Sequence, residues 1–178
     1  MKSKFESSGK QTQITPEIKD IAKGISGNAI DKSKQIIEIF SKRMKFIDFN
    51  ENIFRKRTAD EIIKDDTLTG CTDADLVFIA VARASGLSVK YVETIDESWL
   101  KTGGGSIRGH QYAEVYDDEN KRWFWVDPMG GRVDTPSPKI EGRVIYKVGS
   151  DSWDIGITGF DSLRKAFNIF REKWLVQQ

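Results

Sequence analysis

TGCTDADLVFIAVARASG, residues 69–86, decides how this chain is read, because it holds the only cysteine and the most regular apolar pattern. Ala74, Val77, Phe78, Val81 and Ala82 recur at helical spacing, and Gly86 stands where a left-handed C-terminal cap belongs. The stretch therefore predicts a buried helix with Cys71 at or near its N-terminus. Two readings of that sulfur are open. Free cysteine is among the most often buried residue types, so Cys71 can be a small apolar core atom. A helix N-terminus offers unpaired N–H groups and partial positive charge, so it can equally be a stabilised thiolate.

Upstream, Thr15-Pro16-Glu17 reads as a helix start, followed by Ile18, Ile21, Ala22 and Ile25 on one stripe, with Gly24 and Gly27 ending it. A second helix is expected from about Asn28 into the mid-forties, and Thr58 with Glu61 has the spacing of a capping box. Downstream of Gly86 the period changes from helical to alternating. LSVKYVETI, HQYAEVY, RWFWVDP and RVIYKVG read as strands, and WLKTGGGSIRG as a flexible loop. FDSLRKAFNIFREKW returns to helical spacing. The expectation is an α+β fold: N-terminal helices packed on an antiparallel meander, the cysteine opening a helix, and a closing C-terminal helix. Residues 1–13 are expected to be a loose segment, and 14–178 one domain.

Composition narrows the function classes. The 178 residues are 31% charged and 38% hydrophobic with a net charge of +1, which gives no basic excess for nucleic acid. The longest apolar run, Leu76 to Ala82, is too short for membrane insertion. No apolar export segment stands in MKSKFESSGKQTQ, so a cytoplasmic location is expected, the alternative being an exported domain lacking its signal. The acidic residues are scattered, so neither a metal site nor a cofactor is expected.

The chain also has a single histidine, His110. If a thiol works here with an imidazole base, Cys71 and His110 are the only pairing, and a third group should orient the ring. A hairpin turn centred on Asp118-Glu119 sets His110 directly opposite Asp127, with β-carbons about 4.5–5.5 Å apart. An adjacent imidazolium and the helix N-terminus should both lower the thiol pKa, while Asp73 and Asp75, expected to cap the helix, partly oppose this. Trp99, Gln111 and Tyr112 are the candidates to line a substrate cleft. Trp123, Phe124 and Trp125 read as core, and Gly103-Gly104-Gly105 as a mobile loop bordering the site.

TGCTDADLVFIAVARASGLSVKYV, then HQYAEVY, then WFWVDP resemble the three core motifs of the transglutaminase-like superfamily of papain-type cysteine enzymes. The resemblance covers roughly Thr58 to Gly131. It implies Cys71 as nucleophile, His110 as base and acid, and Asp127 as the orienting residue. It departs from the family in carrying no acidic residue just before the cysteine, where Thr69-Gly70 stands. Members often draw an oxyanion donor from an upstream Trp or Gln. No Trp precedes Cys71 here, and Gln35 has no special claim. The implied activity is cysteine-dependent acyl transfer on a protein or peptide substrate, as protease, amidase or transglutaminase. The alternative is a catalytically silent binding or scaffold domain.

Overall fold

The α4 helix (Cys71–Ala84) is the axle of the molecule: every residue from Thr72 to Arg83 is buried. The computed structural model describes residues 4–134 and 142–178. Around α4 pack α1 (Pro16–Ala22), α2 (Ala29–Arg43) and α3 (Ala59–Asp65), and the helix lies on the main sheet through β3 (Val89–Asp96) and β4 (Gly109–Asp117). Leu76, Val77, Phe78, Ile79 and Val81 are at most 1% exposed, each contributing about 1.5–3 kcal/mol of burial. Thr15 and Thr58 cap α1 and α3, the latter in a full capping box with Glu61.

The remaining elements are short strands β1 (Lys45–Phe46) and β2 (Thr67–Leu68), helix α5 (Glu97–Thr102), strands β5 (Arg122–Asp127), β6 (Arg132–Val133) and β7 (Arg143–Gly149), and closing helix α6 (Phe160–Val176). Among the described residues the main sheet has the order β6-β5-β4-β3-β7, antiparallel throughout. The expected α+β fold is the observed one. The meander itself ends at β6, because β7 returns to the far edge beside β3 rather than following β6.

Three further expectations change. The predicted loop at 99–109 begins as helix α5: Asp96 accepts from the N–H groups of Ser98 and Trp99, Trp99 and Leu100 are buried, and Gly103 closes the turn at φ 65°. The hairpin turn centres on Glu119-Asn120, one residue later than expected, because the Asp117 carboxylate accepts from both their N–H groups and pairs Asp117 with Arg122. Every cross-strand partner therefore moves by two residues, which preserves the face while changing the neighbour.

The third concerns the N-terminal segment. Residues 1–3 lie outside the described region, but Phe5 to Thr12 form a strap rather than a loose tail. Phe5 O accepts from Val89 N at 2.8 Å, and Gln11 and Thr12 are fully buried. Arg83, at the buried end of α4, ties this strap down. Its guanidinium donates to Phe5 O, Thr12 Oγ1, Val89 O and Ser150 O at 2.7–3.2 Å. Burial pushes its pKa down to about 10, with Asp151 and Asp154 opposing the shift. Arg83→Ala leaves several buried acceptors without a donor, so urea denaturation should show a loss of about 3 kcal/mol or more.

Candidate active site

Cys71 occupies the first turn of α4, where the sequence pattern put it. The loop into the helix is fixed by Asp73, whose carboxylate accepts from Thr69 N at 2.9 Å, Thr69 Oγ1 at 2.8 Å and Arg57 Nη2 at 2.7 Å. Asp73 therefore ties the entry loop to the helix but does not cap it as expected, since Gly70 is the N-cap and no side chain among the described residues bonds the first-turn N–H groups. Nor does Asp75: it is fully buried, and neither of its oxygens has a hydrogen-bond partner among the described residues.

The Cys71 thiol hydrogen-bonds to Gln111 Oε1 at 2.8 Å, and Thr72 Oγ1 donates to the same oxygen at 2.9 Å. Gln111 Nε2 donates to Glu93, which fixes the amide orientation and leaves its carbonyl oxygen facing the sulfur. That arrangement holds a thiol proton rather than a thiolate. Behind it, Glu93 is clasped by Arg55 through Nη1 at 2.7 Å and Nη2 at 3.0 Å, and by Tyr91 Oη at 2.7 Å. Burial alone would lower the Arg55 pKa, and Glu93 more than offsets it, holding the guanidinium above its ordinary value.

The second half of the site is His110 and Asp127. Extending the observed register puts Tyr112 opposite Asp127, so His110 is its diagonal neighbour on the same face, not the direct partner expected. Diagonal pairs are within reach of long or aromatic side chains. His110 Nε2 lies 3.4 Å from Asp127 Oδ2, and both residues are buried. Asp127 Oδ1 accepts from Gly130 N at 2.9 Å. Among the described residues no hydrogen bond joins the Cys71 sulfur to His110. The structure thus brings Cys71 to Gln111, and His110 to Asp127. Asp75 touches both halves electrostatically, since its charge acts on Cys71 and that of Asp127 acts on it.

The expected low thiol pKa is corrected by this environment. Burial first, then the negative charge of Asp75, pushes Cys71 up to about 11, against the opposing Arg55 charge. Burial, Asp127 and Glu93 likewise push the Asp75 carboxyl well above the usual carboxylate range. Of the expected cleft residues, only Gln111 meets the sulfur. Trp99 is 4% exposed and packs against Phe167, a core position, and Tyr112 is also buried. Trp123, expected in the core, is instead exposed, with Lys90 Nζ 3.6 Å above its ring. Gln35 turns its amide to Ser26 and Asp31 on the surface of α2, away from any oxyanion role. No sequence motif marks Arg55 and Glu93, which lie 38 residues apart. Among the described residues no cluster of His, Cys, Asp or Glu could hold a metal ion.

Cys71 opens into a groove of 240 Å³ walled by Phe49, Phe54, Ile107, Phe160 and Leu163. A helix-borne cysteine beside a strand-borne histidine and aspartate is the core arrangement of papain-type cysteine enzymes. The model of the Transglutaminase-like superfamily matches residues 19–128, and the chain belongs to that superfamily. Among solved structures, a Cytophaga hutchinsonii protein described as a "Putative Cysteine Protease" aligns with a TM-score of 0.63 at 18% identity. The alignment covers 86% of this chain and 48% of that one, so this chain spans about half its length. Legionella pneumophila LapG aligns with a TM-score of 0.50 at 11% identity, over 88% of this chain and 95% of its own. At these identities the likeness is one of fold. No curated protein matches the chain.

Alkylation of Cys71 by iodoacetamide should follow an apparent pKa near 11 rather than the free-thiol value of about 8.5. Asp75→Asn, which removes the neighbouring charge, should lower it. The folded pKa exceeds the unfolded one, so the thiol's stabilising contribution is complete below about pH 8.5 and is lost as pH rises toward 11. Urea midpoints measured across that window should fall accordingly.

Proposed function

We propose that this domain is a cysteine-dependent acyl-transfer enzyme acting on a peptide or glutaminyl amide of a protein or peptide substrate. The observation that carries the proposal is the 3.4 Å approach of His110 Nε2 to Asp127 Oδ2, in a chain whose single cysteine opens the adjacent buried helix. Carboxylate and imidazole paired in this way fix the ring and stabilise its cation. Such contacts are often long in the unliganded state and tighten with substrate.

In the reaction, the Cys71 sulfur leaves Gln111 and passes its proton to His110 Nδ1, the ring nitrogen not turned to Asp127. Sulfur attacks the carbonyl carbon, and N–H groups at the start of α4 stabilise the oxyanion. The C–N bond breaks as the imidazolium protonates the departing amine or ammonia, leaving a thioester. His110 then removes a proton from water, hydroxide attacks the thioester, and the sulfur departs to regain its proton. Water is the favoured acceptor because the groove beside the Cys71 sulfur is open to solvent. A lysine amine in its place gives cross-linking.

Cleavage of a peptide library, ammonia release from a glutaminyl peptide and incorporation of a labelled amine separate these outcomes. Cys71→Ala should abolish turnover, and Asp127→Asn should lower kcat by about 10²–10⁴ with little change in KM. Amine incorporation without hydrolysis overturns the choice of acceptor. The thiol's bond to Gln111 favours a second reading, a binding domain without chemistry. On that reading Cys71→Ser changes nothing, partner binding included.

A further inference from the structure

The groove at Cys71 has a composition that selects a side chain, an inference that rests on the proposed acyl transfer and names its substrate class. Phe49, Phe54 and Phe160 form one wall as a three-ring cluster with centroids 5.3–6.1 Å apart. Ile107 and Leu163 complete the apolar lining, and Gly70, Gly109 and Cys71 lie alongside them. Phe49 is 57% exposed, so a large apolar ring stands in water beside the reactive sulfur. Water leaves such a ring favourably only if something apolar covers it.

Among the described residues no charged group is available in this groove to receive a charged side chain. The one ion among them that lines it is Arg55, which is 2% exposed, and both its terminal nitrogens are committed to Glu93. The Gln111 amide is taken at both ends by Cys71, Thr72 and Glu93. A carboxylate, ammonium or free carboxamide side chain entering here would lose water and meet, among the described side chains, only the Thr69 and Thr72 hydroxyls, already bonded to Asp73 and Gln111. Gly109 keeps the floor low: a Cβ there would stand 3.1 Å from the Phe167 ring and 3.3 Å from Glu93 Oε1.

The geometry points to a bulky apolar side chain, phenylalanine or leucine, as the occupant of this groove, on the residue whose carbonyl Cys71 attacks. The substrate is then a peptide bond following an apolar residue rather than the carboxamide of a glutamine. Phe49 and Phe54 are the specificity-determining residues.

The test uses Cys71→Ser protein, so that binding is read without chemistry, titrated by amide NMR. N-acetyl-phenylalanine amide, N-acetyl-glycine amide and N-acetyl-aspartate amide are the probes. The phenylalanine compound should shift the amides of Gly70, Ile107 and Gly109 saturably, with a Kd at least about tenfold below the other two. Phe49→Ala should weaken it severalfold and Phe49→Asp abolish it, and the exposure of Phe49 leaves folding intact in both. Equal affinity for the three probes, no binding, or shifts confined elsewhere overturns the inference. Preference for the phenylalanine probe without cleavage of apolar peptides by the native protein upholds the groove and counts against the proposed reaction. Cleavage without probe preference does the reverse.

Discussion

A guanidinium removed from water must find its counter-charge inside the protein, and Arg55 finds it in Glu93. Breaking such a pair by removing one partner typically costs 3–5 kcal/mol, because the other charge is left buried alone. Much of the site is arranged around this requirement. Arg55 itself sits in the left-handed region at φ 58°, a conformation unfavourable for a side-chain-bearing residue. Its carbonyl is held there by the Trp153 indole N–H at 2.7 Å and by Gln11 Nε2 at 3.1 Å. Ser152 Oγ takes a further Nη1 bond. Through Glu93 the pair sets the rotamer of Gln111, and through Gln111 the position of the sulfur. A charge pair with no atom bonded to the sulfur thus fixes where that sulfur stands.

The same network explains why the thiol is high in pKa although it sits at a helix N-terminus. The partial charge of a helix end stabilises an anion by about 0.3–1 kcal/mol when exposed, up to ~2 when partly buried. Desolvation and a neighbouring carboxylate outweigh that. The favourable guanidinium of Arg55 is already answered by Glu93 and Tyr91, so little of its field is left for sulfur. What remains is a protected thiol, and the chemistry proposed for the site requires the sulfur to exchange Gln111 for imidazole.

The sequence made the elements legible where local chemistry dictates them. Helix α4 announces itself through five apolar residues and Gly86, and α3 through the Thr58–Glu61 box. His110 and Asp127 were found together because alternation fixes the face of a strand residue and survives a turn that is misplaced by one position. What could not be read was whatever depends on distant partners. The Asp117 side chain moved the turn through hydrogen bonds to its own loop, and Asp96 converted an apparent loop into α5. The strap at Phe5 to Thr12 looks polar and unattached because its partners, among them Arg83, Val89 and Asp151, lie far along the chain. Arg55 and Glu93 carry no motif at all. Trp99 looked available for a ligand because an aromatic beside glycines does, and only packing against Phe167 shows otherwise.

The strap also sets an order of events on the ribosome. Phe5, Gln11 and Thr12 are made before their partners, which run from Arg55, Arg57 and Ala59 to Arg83, Val89 and Asp151. Until those residues emerge, the polar groups the segment will later bury are bathed in water. The Thr12–Arg83 contact spans 71 residues, and the Gln11–Asp151 contact, which spans 140, closes only after β7 has emerged. Such long-range closure is slow compared with helix formation. The strap is thus fastened in stages, its bond to Asp151 among the last, and the Arg83 guanidinium completes its own set only once Ser150 is in place.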